Sequence, residues 1–200
     1  MERLDELIGT TLKRHPLVTD VRLTGSRADG RASSLSDWHF AVQTSDFEAL
    51  KSDLGELTAT LAPLAQFWDP YSARANYILL LRGPVKVDLI FPDQPWQAAG
   101  PWKVSRETLL AIDHHFWDWT LWLAAKQQRG DEELVSAELG KMQSMLLAPL
   151  GVEQGPATIQ DATASYLESR EAREREFGLR LPRELGLQVI RRLEAEGIDV

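Results

Sequence analysis

Leu4, Leu7, Ile8 and Leu12 recur at helical spacing, so residues 2–14 form a predicted helix, which Pro16 stops. Residues 17–24, LVTDVRLT, read as a strand. They run into GSRADGRASSLS, a loop of small residues with two glycines. DWHFAVQ reads as a second strand, with Trp38, Phe40 and Val42 on one face and Asp37, His39 and Ala41 on the other. Ser45 followed by Glu48 predicts a capping box. Phe47, Leu50, Leu54, Leu57 and Leu61 then make the apolar stripe of a helix ending near Pro63. AQFWDPY is a weak strand or a turn. ANYILLLR and VKVDLIF are stronger strands, and Gly83-Pro84 between them is a candidate hairpin turn. In the latter strand Val85, Val87, Leu89 and Phe91 face one way, and Lys86, Asp88 and Ile90 the other.

The period changes from 2 to 3.6 across residues 92–102, a stretch with prolines at 92, 95 and 101. That change predicts a boundary between a domain over 1–95 and a helical domain over 103–200. Ser105 is placed to cap a long helix that runs to Gly130. Its apolar residues exceed one stripe, which suits the buried centre of a bundle. DEELVSAELGKMQSMLLAPLG predicts a second helix with acids at its start. A third, over roughly 160–176, is highly charged, and EAREREF reads as a solvated face with i,i+4 ion pairs. Pro182 suits the first turn of a last helix, with Leu185, Val189 and Leu193 facing the core and Gly197 ending it. The fold class is α+β: a mixed sheet with flanking helices, followed by a C-terminal helical bundle.

Composition narrows the function. With no cysteine among its 200 residues, the chain has neither a disulfide framework nor a thiolate metal site. The net charge is −8, and both halves are acidic: 10 basic against 13 acidic residues in 1–100, and 12 against 17 in 101–200. No surface for nucleic acid is expected from that balance, whereas a cationic small substrate would be attracted. No stretch reaches the length of a membrane span. The acid-bearing start, MERLDELIGTTLKRH, reads as neither a secretory signal nor a transit peptide, so the expected location is the cytoplasm.

The informative segment is LTGSRADGRASSLSDWHF. Gly25 permits close backbone approach, and the Ser26 hydroxyl with nearby N–H groups can bind phosphate oxygens. Ten residues separate Ser26 from Asp37, and Asp88 lies on a later strand. If the strands are neighbours, Asp37, His39 and Asp88 converge at one end of a sheet. Phosphoryl-type transfer from a nucleotide needs such a cluster, with metal ions to neutralise the phosphates and clamp the attacking and leaving oxygens. Lys86 shares the side-chain direction of Asp88 and can pair with it.

These residues resemble the nucleotidyltransferase superfamily of the DNA-polymerase-β type, and within it the small bacterial antibiotic-modifying adenylyltransferases. The family pattern is a hydrophobic strand, Gly-Ser, roughly ten residues, Asp-x-Asp or Asp-x-Glu, and a third Asp on a later strand. Gly25 and Ser26 match the phosphate element, Asp37 the first metal ligand and Asp88 the third carboxylate. The match covers residues 21–42 and 85–91. The resemblance implies a transferase that moves a nucleoside monophosphate, AMP from ATP in the first instance, to a hydroxyl of a small molecule. An aminoglycoside is one such cationic acceptor. It implies a divalent metal, Mg²⁺ or Mn²⁺, held by Asp37, His39 and Asp88, with ATP or another nucleoside triphosphate as co-substrate. Asp37 and Asp88 would be the catalytic pair. Arg27 and Lys126 are further candidates for phosphate contact, and a homo-oligomer is left open. The departure is His39, where the family has a carboxylate. Three outcomes follow from it: a changed metal, a one-metal reaction, or a nucleotide-binding or regulatory protein that has lost turnover.

Other candidates have plainer readings. Lys126 suits the last turn of its helix, and Arg27 and Arg31 suit a solvated loop. His114 and Asp118 share a helix face, where a polar contact between helices outweighs a metal pair. Asp113 and Asp118 are open as acceptor-side bases. Trp102, Trp117, Trp119 and Trp122 read chiefly as bundle core, and otherwise as a wall for a ligand.

Overall fold

The structure is a computed structural model that describes residues 3–200. The chain divides into two compact units, one ending at Ala98 and the other spanning Ala99–Val200.

The first unit is built on a five-stranded sheet in the order β1-β2-β5-β4-β3. Its strands are β1 (Val18–Thr24), β2 (Trp38–Thr44), β3 (Ala65–Trp68), β4 (Arg74–Leu81) and β5 (Val85–Pro95). β2 and β5 run parallel, and the other neighbours are antiparallel. The alternation read from the sequence sorts the two faces. Phe40, Val42, Val87, Leu89 and Phe91 point into a core with Ala75, Tyr77, Leu79 and Leu81. That core is completed by Ile8 and Leu12 of α1 (Leu4–Leu12) and by Leu50 and Leu54 of α3 (Phe47–Ala59). The opposite face carries His39, Lys86 and Asp88. Residue 2 of the predicted first helix lies outside the described residues.

Three local readings change in this unit. The cap of α3 is Asp46, whose side chain accepts from Ala49 N at 3.1 Å. Ser45 instead bonds back to Leu17 O through its own N–H at 3.0 Å. Both residue types cap well, and the backbone tie to Leu17 decides between them. The GSRADG loop begins with a single helical turn, α2 (Gly25–Ala28). β5 continues to Pro95 past Pro92, because the register jumps from Ala75–Phe91 to Arg74–Pro95 and leaves Pro92 out of the ladder. The β4–β5 turn holds Arg82, Gly83 and Pro84, with Gly83 at φ +108°.

The second unit is helical: α4 (Leu109–Gln128), α5 (Glu132–Met142), α6 (Ala148–Leu150), α7 (Ile159–Phe177) and α8 (Glu184–Ala195). α4 starts later than a Ser105 cap implies. Ser105 and Thr108 close a turn on each other, with Ser105 N on Thr108 Oγ1 at 2.9 Å, and Thr108 Oγ1 also reaches Lys103 O at 2.7 Å. A π-helical segment, Gln143–Leu147, joins α5 to α6. Pro149 has no N–H for the Met145 carbonyl four residues back, and Trp102 N supplies that bond at 2.9 Å. Pro182 lies just before the Arg183 cap of α8 instead of in its first turn, while Leu185, Val189 and Leu193 are buried as expected.

EAREREF is only partly a solvated face. Glu171 and Arg175 are exposed, but Glu174 is buried. It binds Leu181 N at 2.9 Å and Arg183 Nη1 at 2.8 Å. Next to it Arg170, 1% exposed, pairs with Asp113 Oδ1 at 2.9 Å. Tyr166 Oη and Trp117 Nε1 donate to the same oxygen. Asp113 is thus enclosed within the bundle, which does not suit an acceptor-side base. Trp117 is fully buried against Gly186, where a Cβ would lie 2.6 Å from the indole.

Candidate active site

β1 delivers the chain to Thr24, whose register partner on β2 is His39. Gly25 follows at φ +70°, a conformation that suits glycine, and swings the chain into the turn of α2. The same glycine faces the imidazole. A Cβ at position 25 would lie 3.0 Å from His39 Nδ1. Thr24 Oγ1 donates to His39 O at 3.2 Å, which ties the turn to the start of β2.

The far end of the loop is fixed as well. Arg27 Nε donates to Ser36 O at 3.0 Å, and its guanidinium lies 4.2 Å from the centre of the Trp38 ring. Arg27 therefore braces the loop that carries Asp37. Gly25 is exposed and Ser26 is half-buried, so both are open to a ligand. Arg31 pairs with Asp29 on the surface. Lys126 belongs to the helical unit, near the end of α4, with its ammonium 5.0 Å from the Trp122 ring.

The parallel β2–β5 pair sets His39 opposite Asp88. His39 Nε2 is 3.1 Å from Asp88 Oδ2 and 3.7 Å from Asp37 Oδ2. One ligand atom from each of the three residues lies within 4.8 Å of the others, the only such group of His, Asp or Glu among the described residues. His114 and Asp118 do not form one. The side chains grade inward, from His39 at 39% exposed through Asp37 at 10% to Asp88 at 5%.

Asp88 has further partners. Asn76 Nδ2 donates to its Oδ1 at 3.0 Å, and the buried Lys86 ammonium is 3.8 Å from the same oxygen. Burial alone would push the Asp88 carboxyl up, but Lys86, then His39 and Asn76, outweigh it and hold the carboxyl below its ordinary value. Hydrogen bonding to Asp37 and to Asp88, the nearer by distance, raises His39 to about 9 against the opposing effect of burial. His39 is thereby biased toward its protonated form. The pairing of Lys86 with Asp88 was legible as a shared strand face. Asn76 was missed, although a polar residue in ANYILLLR on the face shared with Ile78 and Leu80 is a detectable signal.

The donor set fits one divalent cation. Donors about 2.1 Å from a shared ion sit about 3.0–3.4 Å apart in octahedral or tetrahedral geometry. The two His39 separations, 3.1 and 3.7 Å, lie near that range, and all three donors are within 4.8 Å of one another. The buried Asn76 Oδ1 beside Asp88 has no hydrogen-bond partner and adds an uncommitted oxygen to the neighbourhood.

No family model and no curated protein matches the chain. A crystal structure of an aminoglycoside 6-adenyltransferase from Bacillus subtilis is similar over 98% of this chain and 98% of that one, with 10% identity and a TM-score of 0.36. A likeness of that degree is too slight to bear on fold or function. No helix among the described residues is long and apolar enough to cross a membrane.

Proposed function

We propose that the chain is a metal-dependent nucleotidyltransferase, acting through the Gly25–Ser26 turn and the Asp37–His39–Asp88 group. The observation that carries this reading is the register of β1, β2 and β5. It sets the turn after Thr24 beside His39 and sets His39 opposite Asp88. A glycine turn, a hydroxyl and three metal-capable side chains thereby share one end of the sheet.

Ser26 and the backbone around Gly25 hold the phosphates of a nucleoside triphosphate, ATP in the first instance. Arg27 keeps the loop, and with it Asp37, in place. Asp37, His39 and Asp88 hold a divalent cation, which supplies charge neutralisation at the transferring phosphate. The acceptor hydroxyl gives its proton to the Asp88 carboxylate and attacks the α-phosphorus. A new P–O bond forms, the bond to the β-phosphate oxygen breaks, and pyrophosphate leaves. Asp88 contributes as an ionised carboxylate. The acidic charge of the chain favours a small cationic acceptor such as an aminoglycoside.

The His39 ring, 3.1 Å from Asp88 Oδ2 and 3.7 Å from Asp37 Oδ2 where the family has a carboxylate, favours a second reading: a nucleotide-binding or regulatory protein on the same fold that has lost turnover. Incubation with nucleoside triphosphates, an aminoglycoside panel, and Mg²⁺ or Mn²⁺ separates the two. The enzyme releases pyrophosphate only with an acceptor present and loses that release in Asp37→Asn. Nucleotide binding without pyrophosphate under every condition supports the second reading.

A further inference from the structure

A carboxylate has two oxygens and can reach two cations at once. A neutral imidazole has one lone pair, because its other nitrogen carries the proton. The nitrogen that His39 turns toward both carboxylates is Nε2, while Nδ1 lies on the Gly25 side. Position 39 can therefore serve one ion, where a carboxylate would serve two. Asp88 is one-sided as well. Its Oδ2 faces His39, but its Oδ1 is taken by the Asn76 amide at 3.0 Å and faces the Lys86 ammonium at 3.8 Å. A cation approaching Oδ1 would have to displace a buried ammonium. Asp37 is the one member for which a bridging role stays open, and one bridging carboxylate does not assemble two octahedral ions.

Chemistry points the same way. Mg²⁺ prefers an all-oxygen shell of near-ideal geometry, whereas imidazole suits first-row transition metals. We infer that the Asp37–His39–Asp88 group binds a single first-row transition-metal dication, and not a pair of magnesium ions. The inference rests on the reading of the group as a metal centre given above. It replaces a two-ion arrangement with a one-ion arrangement specified by His39, Lys86 and Asn76.

The test is equilibrium dialysis of the full chain, without nucleotide, against Mn²⁺, Zn²⁺, Co²⁺ or Mg²⁺ alone, with bound metal read by atomic emission. The expected result is one Mn²⁺, Zn²⁺ or Co²⁺ per chain and Mg²⁺ at least about tenfold weaker. The Co²⁺ form should show a visible d–d spectrum that changes in His39→Gln, a variant that keeps the residue's size and removes the imidazole nitrogen. His39→Asp should narrow or reverse the preference against Mg²⁺, with circular dichroism confirming that both variants fold. Two ions per chain, Mg²⁺ bound as well as Mn²⁺, a spectrum indifferent to His39→Gln, or no ion bound at all would overturn the inference. ATP binding, measured in parallel, keeps the two claims apart. Two Mg²⁺ ions together with ATP binding defeat the one-ion inference and leave the proposed function standing. One Mn²⁺ without ATP binding upholds the inference and removes the nucleotide reading.

Discussion

His39 and Asp88 are register partners across the parallel strand pair β2–β5, and their side chains meet at 3.1 Å. The contact brings together residues 49 positions apart in the chain. It also joins a half-exposed group to a buried one, so whatever binds from solvent at His39 is coupled to Lys86 and Asn76 beneath it.

Gly25 is required twice, once for its backbone and once for the space beside His39. Gly25→Ala should cost about 1–2 kcal/mol from the left-handed conformation alone. Gly30 is the control: its φ is +68°, close to the +70° of Gly25, but a Cβ there meets nothing within 4 Å. Chemical denaturation should show a loss for Gly25→Ala at least as large as that for Gly30→Ala. Metal and nucleotide binding should fall in Gly25→Ala and persist in Gly30→Ala. Equal binding by the two variants would contradict the packing described.

Lys86 offsets the charge of Asp88, and both side chains are buried. Lys86→Met removes one cationic partner of the carboxylate and leaves His39 and Asn76 on it, and should cost less than the roughly 3–5 kcal/mol of a fully unpaired buried charge. Adding Asp88→Asn to Lys86→Met removes the under-compensated charge and should recover a large part of that loss. Urea unfolding of the two single variants and the double variant measures the coupling directly. Additive losses would show that the two side chains act independently.

His114 gives the helical unit an acid-sensitive element. Burial, with the nearby charge of Arg170, lowers it from 6.5 to about 4. The unfolded chain takes up this proton as pH falls through 6.5, and the folded chain does so only near 4. Stability from this group is therefore intact above the upper value and drains away toward the lower one. Thermal melts across this interval should show a decline that flattens in His114→Gln. An equally steep decline in that variant would place the acid sensitivity elsewhere.

The Gly-Ser, Asp and His elements were legible because each depends on local order: a strand that ends in glycine, a loop of fixed length, and an alternation that assigns faces. The strand neighbours were not, since VKVDLIF alone does not say that it pairs parallel with DWHFAVQ. Charge was the least legible feature. Arg170 and Glu174 have the i,i+4 spacing of a solvated pair, and only their tertiary partners, Asp113 of α4 and the exposed Arg183 that precedes α8, show that they are buried. Element starts were misread at Ser45 and Ser105 for a related reason. Each serine has a distant or competing partner, Leu17 in one case and Thr108 in the other, that spacing does not reveal.

The proposed nucleotide site is tested most directly by calorimetric titration of ATP into the chain in Mn²⁺, for the wild type and for Asp37→Asn. Heat of binding that saturates in the wild type and disappears in Asp37→Asn is the predicted result. No ATP binding with any divalent cation, or binding that survives in Asp37→Asn unchanged, would contradict it.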